Sequence, residues 1–164
     1  MDIGEIQKKY NKITQLLIAK NMEITTMESC TSGLIATLLT NVENSSRILK
    51  GAFVTYSNQA KIMQGVNENV IKENGVYSFE TALSMAKACM QAYDADIGIG
   101  ITGVFGNIDP NNKEGRVGTV FIAITHPLYE HQIKIEIPEN LNRFQSKLYV
   151  ANEIAEQLMM MLEA

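Results

Sequence analysis

The sequence predicts a three-layer α/β domain in which helices cover both faces of a central sheet. Over the first hundred residues, stretches with helical spacing of apolar side chains alternate with short runs of β-branched residues. A near-continuous apolar run at 96–101 is typical of a strand that is covered on both faces. Because strands separated by helices pair through right-handed crossovers, the first three strands are predicted to be parallel.

The first half of the chain supplies two helices and two strands. A helix is predicted over 3–20, where apolar side chains recur at helical spacing: Ile3, Ile6, Tyr10, Ile13 and Leu17. A β-branched strand at 23–28 precedes a helix at 31–41, and a second strand is predicted at 51–56. These elements form the start of an alternating α/β pattern.

Capping residues mark the next two helices. Ser57 or Asn58 is placed to cap a short helix that contains Lys61. Ser78 is placed to cap a longer helix that runs to about Tyr93. This second helix precedes the apolar strand at 96–101.

Hairpin strands and a long helix complete the domain. A loop rich in Gly, Asn, Asp and Pro is predicted at 103–115, followed by strands at 117–124 and 132–137. The last helix is predicted over 141–162 with these residues inward: Phe144, Leu148, Ala151, Ala155, Leu158 and Leu162. The whole chain, 1–164, is predicted to be one domain.

Composition excludes several classes of function. The net charge of −4 argues against nonspecific nucleic-acid binding, which needs a basic surface. No apolar run is long enough to cross a membrane, and the first residues lack a basic, signal-like segment, so we expect a cytoplasmic protein. Two cysteines and two histidines make neither a disulfide framework nor a zinc site, and we expect no cofactor.

Three polar segments are predicted to meet at one edge of the sheet. Ser29 follows the first strand, Tyr56 closes the second, and Thr102 and Gly103 follow the third. The carboxyl ends of parallel strands share one edge, and ligands bind there in open α/β folds. Ser29 also lies on a strand-to-helix turn, which is a common position for a nucleophile.

A serine hydroxyl at this edge needs a base to become nucleophilic. No histidine lies near the three strand ends, so Lys61, one helical turn beyond Tyr56, is the remaining candidate. A lysine can act as a base when burial lowers its pKa, and Tyr56 could relay or orient the proton. The alternative is that Lys61 is an ordinary surface lysine, and the chemistry alone leaves both interpretations open.

Two segments closely resemble the C-terminal domain of the competence/damage-inducible protein CinA. T-T-M-E-S-C-T-S-G at 25–33 is similar to the family pattern T-x-A-E-S-C-T-G-G, and G-A-F-V-T-Y-S-N-Q-A-K at 51–61 is similar to G-G-F-V-T-Y-S-N-E-A-K. Weaker matches are N-G-V-Y-S at 74–78, Thr102–Gly103, and V-G-T-V at 117–120. The resemblance covers most of residues 3–160.

The resemblance implies a specific fold and activity. It implies an α/β/α sandwich with a mixed five-stranded sheet of order 2-1-3-4-5, in which strand 4 is antiparallel. It also implies a nicotinamide-nucleotide amidase, which converts nicotinamide mononucleotide to nicotinic acid mononucleotide and ammonia. Ser29 is then the nucleophile, Lys61 the base and Tyr56 its neighbour. The domain is expected to be the stand-alone form, without the larger N-terminal domain.

Further residues of the motifs and strand ends are assigned to substrate binding. Backbone N–H groups near Thr31 to Gly33 are expected to hold the oxyanion that forms during the reaction. The predicted substrate-binding residues are Cys30, Thr31, Ser32, Gly33, Asn58, Thr102, Gly103 and Gly106. The chain departs from the family pattern at three places. Ser32 replaces a glycine, and Phe105 replaces a small residue in a loop that loses its paired glycines. The segment E-N-L-N-R-F-Q at 139–145 has no arginine at the positions where the family pattern has them.

Other possible sites are less specific. Cys30 could be a nucleophile, but free cysteines mostly lie in the core. The S-x-x-K match at 84–87 lacks the accompanying motifs of penicillin-binding enzymes, and Tyr56 to Lys61 is one residue too long for the dehydrogenase Tyr-x-x-x-Lys pattern. Glu28 is interpreted as a structural carboxylate.

Two functions from different classes remain. The first is a serine amidase that acts on a small nucleotide. The second is a catalytically silent nucleotide- or partner-binding domain, motivated by the altered loop and the missing arginines. Three consecutive methionines at 159–161 exceed one helix face, so we also expect a homo-oligomer.

Overall fold

The computed structural model describes residues 1–164, and its centre is a mixed five-stranded sheet. The strands are β1 Ile24–Glu28, β2 Phe53–Val54, β3 Ile97–Gly103, β4 Thr119–His126 and β5 Tyr129–Glu136. Their order is β2-β1-β3-β4-β5, with β1 parallel to β2 and β3, and with β4 antiparallel to both neighbours. The predicted order and directions are confirmed.

Six α-helices and a short 3-10 helix, Ser45–Arg47, surround the sheet. The α-helices are α1 Ile3–Lys20, α2 Leu34–Thr40, α3 Asn58–Met63, α4 Glu68–Asn74, α5 Phe79–Tyr93 and α6 Arg143–Glu163. Side chains of Asp2, Ser57, Ser78 and Asn142 accept hydrogen bonds from first-turn N–H groups of their helices. None of the helices has the length and apolar character needed to cross a membrane.

The structure differs from the sequence prediction at several boundaries. β2 has two residues instead of six, because only Phe53 and Val54 pair with β1 at this edge of the sheet. α4 was not predicted, since its seven residues carry a single buried apolar side chain. The inward placement of Phe144 was wrong: it is 53% exposed, because the apolar core reaches α6 only from Leu148 onward.

One face of the sheet carries the main core. Alternating residues of the central strands point to this face, where α1, α2 and α6 pack: Ile24, Ile97, Ile99, Ile101, Val120, Ile122 and Ile124. On the opposite face, Met27 packs with Met85 and Cys89 of α5 and with Ile71 of α4. Helices on both faces make the three-layer sandwich.

Glycines on β3 allow α5 to lie unusually close to the sheet. The strand alternates Ile-Gly-Ile-Gly, so its isoleucines fill the main core while Gly98 and Gly100 face α5. A Cβ at Gly98 would lie 2.2 Å from the Ala86 carbonyl oxygen, and one at Gly100 would lie 2.0 Å from that of Ala82. The absence of a side chain at these positions therefore sets the distance between α5 and the strand.

The substitution Gly100→Ala is expected to lower the free energy of unfolding by about 3 kcal/mol, because its Cβ would collide with helix backbone that cannot rotate away. Urea denaturation measures the change. Gly106→Ala is the matched control, since no heavy atom lies within 4 Å of its added Cβ, and its effect should stay within about 0.5 kcal/mol. Equal losses for the two variants would contradict close packing of α5 on β3.

Candidate active site

A tight turn at residues 29–33 joins β1 to α2 and carries Ser29. The Ser29 N–H extends the sheet by donating to the Ile101 carbonyl at 3.0 Å, and its own carbonyl accepts from the Ser32 N–H at 3.0 Å. Ser32 and Gly33 then adopt successive left-handed conformations, with φ of 47° and 96°. Ser32 thus occupies a conformation that favours glycine, the residue of the family pattern at this position.

The buried carboxylate of Glu28 holds this turn. Its Oε1 accepts from the Thr31 hydroxyl at 2.7 Å and from the N–H groups of Gly33 and Ile35 at 3.2 and 3.1 Å. Its Oε2 accepts from the Ala36 N–H and the Thr26 hydroxyl, both at 3.0 Å. Five donors surround one carboxylate at the start of α2, where its charge is favourable. These contacts agree with a structural role for Glu28.

The same contacts revise the expected oxyanion donors. The Gly33 N–H is engaged by Glu28, and the Ser32 N–H is engaged by the Ser29 carbonyl. The N–H groups of Cys30 and Thr31 make no hydrogen bond within the chain. The N–H groups of Cys30 and Thr31 are therefore free to donate to a ligand, whereas the N–H of Gly33 is already engaged.

Lys61 is buried beside Ser29 and is not a surface lysine. It lies on α3, whose N-terminus is capped by the Ser57 hydroxyl. Its side chain is 2% exposed, and its Nζ donates to the Ser29 Oγ at 3.2 Å and to the Thr55 carbonyl at 2.8 Å. No carboxylate lies within 4 Å of this ammonium.

Burial lowers the pKa of Lys61 to about 8, because desolvation disfavours the ammonium form. The negative charges of the Cys30 thiolate form and Asp109 oppose this shift but do not cancel it. Lys61 is therefore neutral more often than an exposed lysine at neutral pH, and its neutral fraction grows as the pH rises toward 8. A neutral amine within hydrogen-bonding distance of a serine hydroxyl can accept its proton.

Cys30 has the properties of a core residue. Its thiol is buried, and burial raises its pKa to about 12. The thiolate, which is the nucleophilic form, is therefore scarce at physiological pH. The hydroxyl of Ser29 is the better-placed nucleophile at this turn.

A cavity of about 880 Å³ opens beside the turn. Of the predicted site residues, it is lined by Ser29, Cys30, Tyr56, Asn58 and Gly103. Tyr56 is 59% exposed, and its hydroxyl accepts from Arg143 at 2.7 Å; it makes no hydrogen bond to Ser29 or Lys61. In this structure, Tyr56 belongs to the wall of the cavity.

The other predicted site residues, Lys61 among them, do not line the cavity; Lys61 reaches the site through its contact with the Ser29 Oγ. Thr31 and Gly33 bind Glu28, and the Ser32 hydroxyl accepts from Lys147 of α6. The Thr102 hydroxyl is buried and donates to the Val76 carbonyl at 3.0 Å. Gly106 lines a neighbouring groove that runs toward Pro138.

The loop at 103–115 supplies several cavity residues that were not assigned from the sequence. Asn112 exchanges two side-chain amide hydrogen bonds with Asn58 of α3, at 2.8 and 3.2 Å. Tyr77 donates to Asp109 at 2.8 Å. Phe105 also lines the cavity, and the Arg143 guanidinium lies 5.8 Å from its ring centre. In the sequence, only the high content of Asn and Asp in this loop indicated that it makes polar contacts.

Comparisons with known proteins agree on one family. The family model described as CinA C-terminal domain matches residues 6–159. A putative competence-damage inducible protein of Acetivibrio thermocellus is 35% identical over 133 residues, which are 80% of this chain and 32% of that protein. A CinA-like protein of Chloroherpeton thalassium is 46% identical over 95 residues, 57% of this chain and 23% of that protein. The chain spans about a third or less of the length of these curated relatives.

Two solved structures have a fold similar to that of this chain. The competence/damage-inducible protein CihA from Agrobacterium tumefaciens has a TM-score of 0.86 and 28% identity, with 100% of both chains covered. A CinA superfamily protein from Escherichia coli has a TM-score of 0.88 over 98% of this chain and 93% of that one, at 24% identity.

The variant Glu28→Gln is expected to lose about 3 kcal/mol of stability, because an amide NH₂ group would face N–H donors that now bind a carboxylate. Urea denaturation provides the measurement. Glu43→Gln, at an exposed carboxylate without a hydrogen bond, is the matched control and should change stability by less than about 0.5 kcal/mol. A Glu28 variant as stable as this control would show that the turn does not depend on the carboxylate.

Proposed function

This chain belongs to the CinA C-terminal domain family, and on that premise we propose that it hydrolyses the carboxamide of nicotinamide mononucleotide to nicotinic acid mononucleotide and ammonia. The observation that carries the proposal is the contact between the Lys61 Nζ and the Ser29 Oγ at 3.2 Å, together with the burial of that lysine. The substrate follows from the resemblance of the two long motifs to nicotinamide-nucleotide amidases.

The first half of the reaction forms an ester on Ser29. Neutral Lys61 takes the hydroxyl proton as the Ser29 Oγ attacks the carboxamide carbon. The N–H groups of Cys30 and Thr31 stabilise the oxyanion of the tetrahedral intermediate. Protonated Lys61 then gives its proton to the amide nitrogen, and the C–N bond breaks to release ammonia.

The second half returns the free enzyme. Water attacks the ester carbon while neutral Lys61 accepts a proton from it. The intermediate collapses, the ester C–O bond breaks, and Lys61 returns the proton to the Ser29 Oγ. One water is consumed, and the carboxamide becomes a carboxylate.

A catalytically silent nucleotide- or partner-binding domain is the second candidate function. The observation that favours it is the position of Tyr56, whose hydroxyl binds Arg143 instead of Ser29 or Lys61. A nucleotide that binds the cavity without turnover would support this candidate.

Ammonia release from nicotinamide mononucleotide by the purified protein tests the amidase directly. Ser29→Ala and Lys61→Ala are expected to lower kcat/KM by about a thousandfold or more, because nucleophile and base act as one unit. Cys30→Ala is the matched control and should retain activity within a few-fold. If Cys30→Ala abolishes turnover while Ser29→Ala retains it, the nucleophile assignment is wrong.

The pH profile of kcat/KM tests Lys61 as the base. Because the lysine works in its neutral form and its pKa is about 8, activity should rise with pH, reach half its maximum near pH 8, and level off above. Lys61→Arg should not recover at high pH, since a guanidinium stays charged. A profile that is flat through this range would exclude Lys61 as the titrating base.

A further inference from the structure

The cavity beside Ser29 contains one acidic side chain, Asp109. The only other charged residue along its wall is Arg143, and the wall also includes the aromatic side chains of Tyr56, Tyr77 and Phe105. Asp109 comes from the loop at 103–115, where the family pattern has glycines. Neither Asp109 nor Tyr77 matches a functional position of that pattern.

Asp109 is held in place by neutral donors. Its Oδ2 accepts from the Tyr77 hydroxyl at 2.8 Å and from the Asn112 side chain at 2.7 Å, and its Oδ1 accepts from the Asn111 N–H at 2.9 Å. These hydrogen bonds, that of Asn112 foremost, lower the pKa of the carboxyl group and keep it ionised. Asn112 is in turn fixed by Asn58.

The negative charge of Asp109 has no ion-pair partner in the chain. No lysine, arginine or histidine nitrogen lies within 4 Å of its carboxylate. Lys61 is the nearby cation that interacts with this charge, but Lys61 must be neutral to act as the base. Arg143, the other charged residue along the wall, contacts the Tyr56 hydroxyl and makes no ion pair with Asp109. In the reactive form of the site, Asp109 therefore carries a negative charge with no cation within 4 Å.

We propose that Asp109 is a specificity-determining residue that selects amides whose aromatic ring carries a positive charge. This inference rests on the proposed function and deepens it. Nicotinamide joined to ribose through its ring nitrogen is a pyridinium cation, and a fixed carboxylate attracts it. Aromatic side chains along the same wall add a surface that favours cations.

Dissociation constants for two nucleotides test this role. Nicotinamide mononucleotide carries a charged ring, and the 5′-phosphate of benzamide riboside is an analogue with an uncharged ring, in which carbon replaces the ring nitrogen. Asp109→Asn is expected to weaken binding of the nucleotide with the charged ring by about tenfold and binding of the nucleotide with the uncharged ring by less than about twofold. Calorimetry at a single pH measures both, so any change in the protonation of Lys61 affects the two titrations alike.

Tyr77→Phe is the matched control, because it removes a hydrogen bond that holds the loop and leaves the carboxylate charge in place. It should change both dissociation constants by the same factor.

If Asp109→Asn weakens binding of both nucleotides equally, or weakens binding of neither, the selectivity role is wrong and Asp109 only orders the loop. Failure to bind either nucleotide would likewise overturn the inference. A protein that shows the charge-dependent difference but releases no ammonia would disprove the proposed amidase while leaving this inference standing.

Discussion

The contact on which the site depends is the one between the Glu28 carboxylate and the start of α2. A charged group buried without water needs several hydrogen bonds, and Glu28 obtains five of them from residues 26–36. The segment that supplies these donors passes through the left-handed turn at Ser32 and Gly33. Ser29 is thereby fixed at the sheet edge, and the N–H groups of Cys30 and Thr31 are left unpaired beside it.

The burial of Lys61 is the second constraint. An ammonium group without a carboxylate partner is costly to bury, and the fold offsets only part of that cost through the Thr55 carbonyl and the Ser29 hydroxyl. The desolvation cost that these two hydrogen bonds do not offset lowers the pKa of Lys61, and the lowered pKa allows the lysine to act as a base. The desolvation that makes the Lys61 ammonium costly to bury is thus the same effect that makes its amine reactive.

Local patterns were enough to predict that the first three strands are parallel, the helix caps at Ser57 or Asn58 and at Ser78, and the meeting of the first strand ends. The order of the whole sheet came from the family resemblance. Local patterns could not predict features set by contacts distant in sequence. The pairing of Asn58 with Asn112 joins residues 54 positions apart, and the Asn-rich composition of the loop does not identify Asn58 as the partner. The length of β2 and the exposure of Phe144 likewise depend on where the sheet edge and the apolar core end, which periodicity does not reveal.

The reciprocal amide pair between Asn58 and Asn112 has a mechanical consequence. Asn58 begins α3, and Lys61 lies one turn later on the same short helix. The loop along the cavity wall and the lysine beside Ser29 are therefore joined by one amide pair and one turn of helix. The position of the loop and the position of the amine thus share a single structural connection.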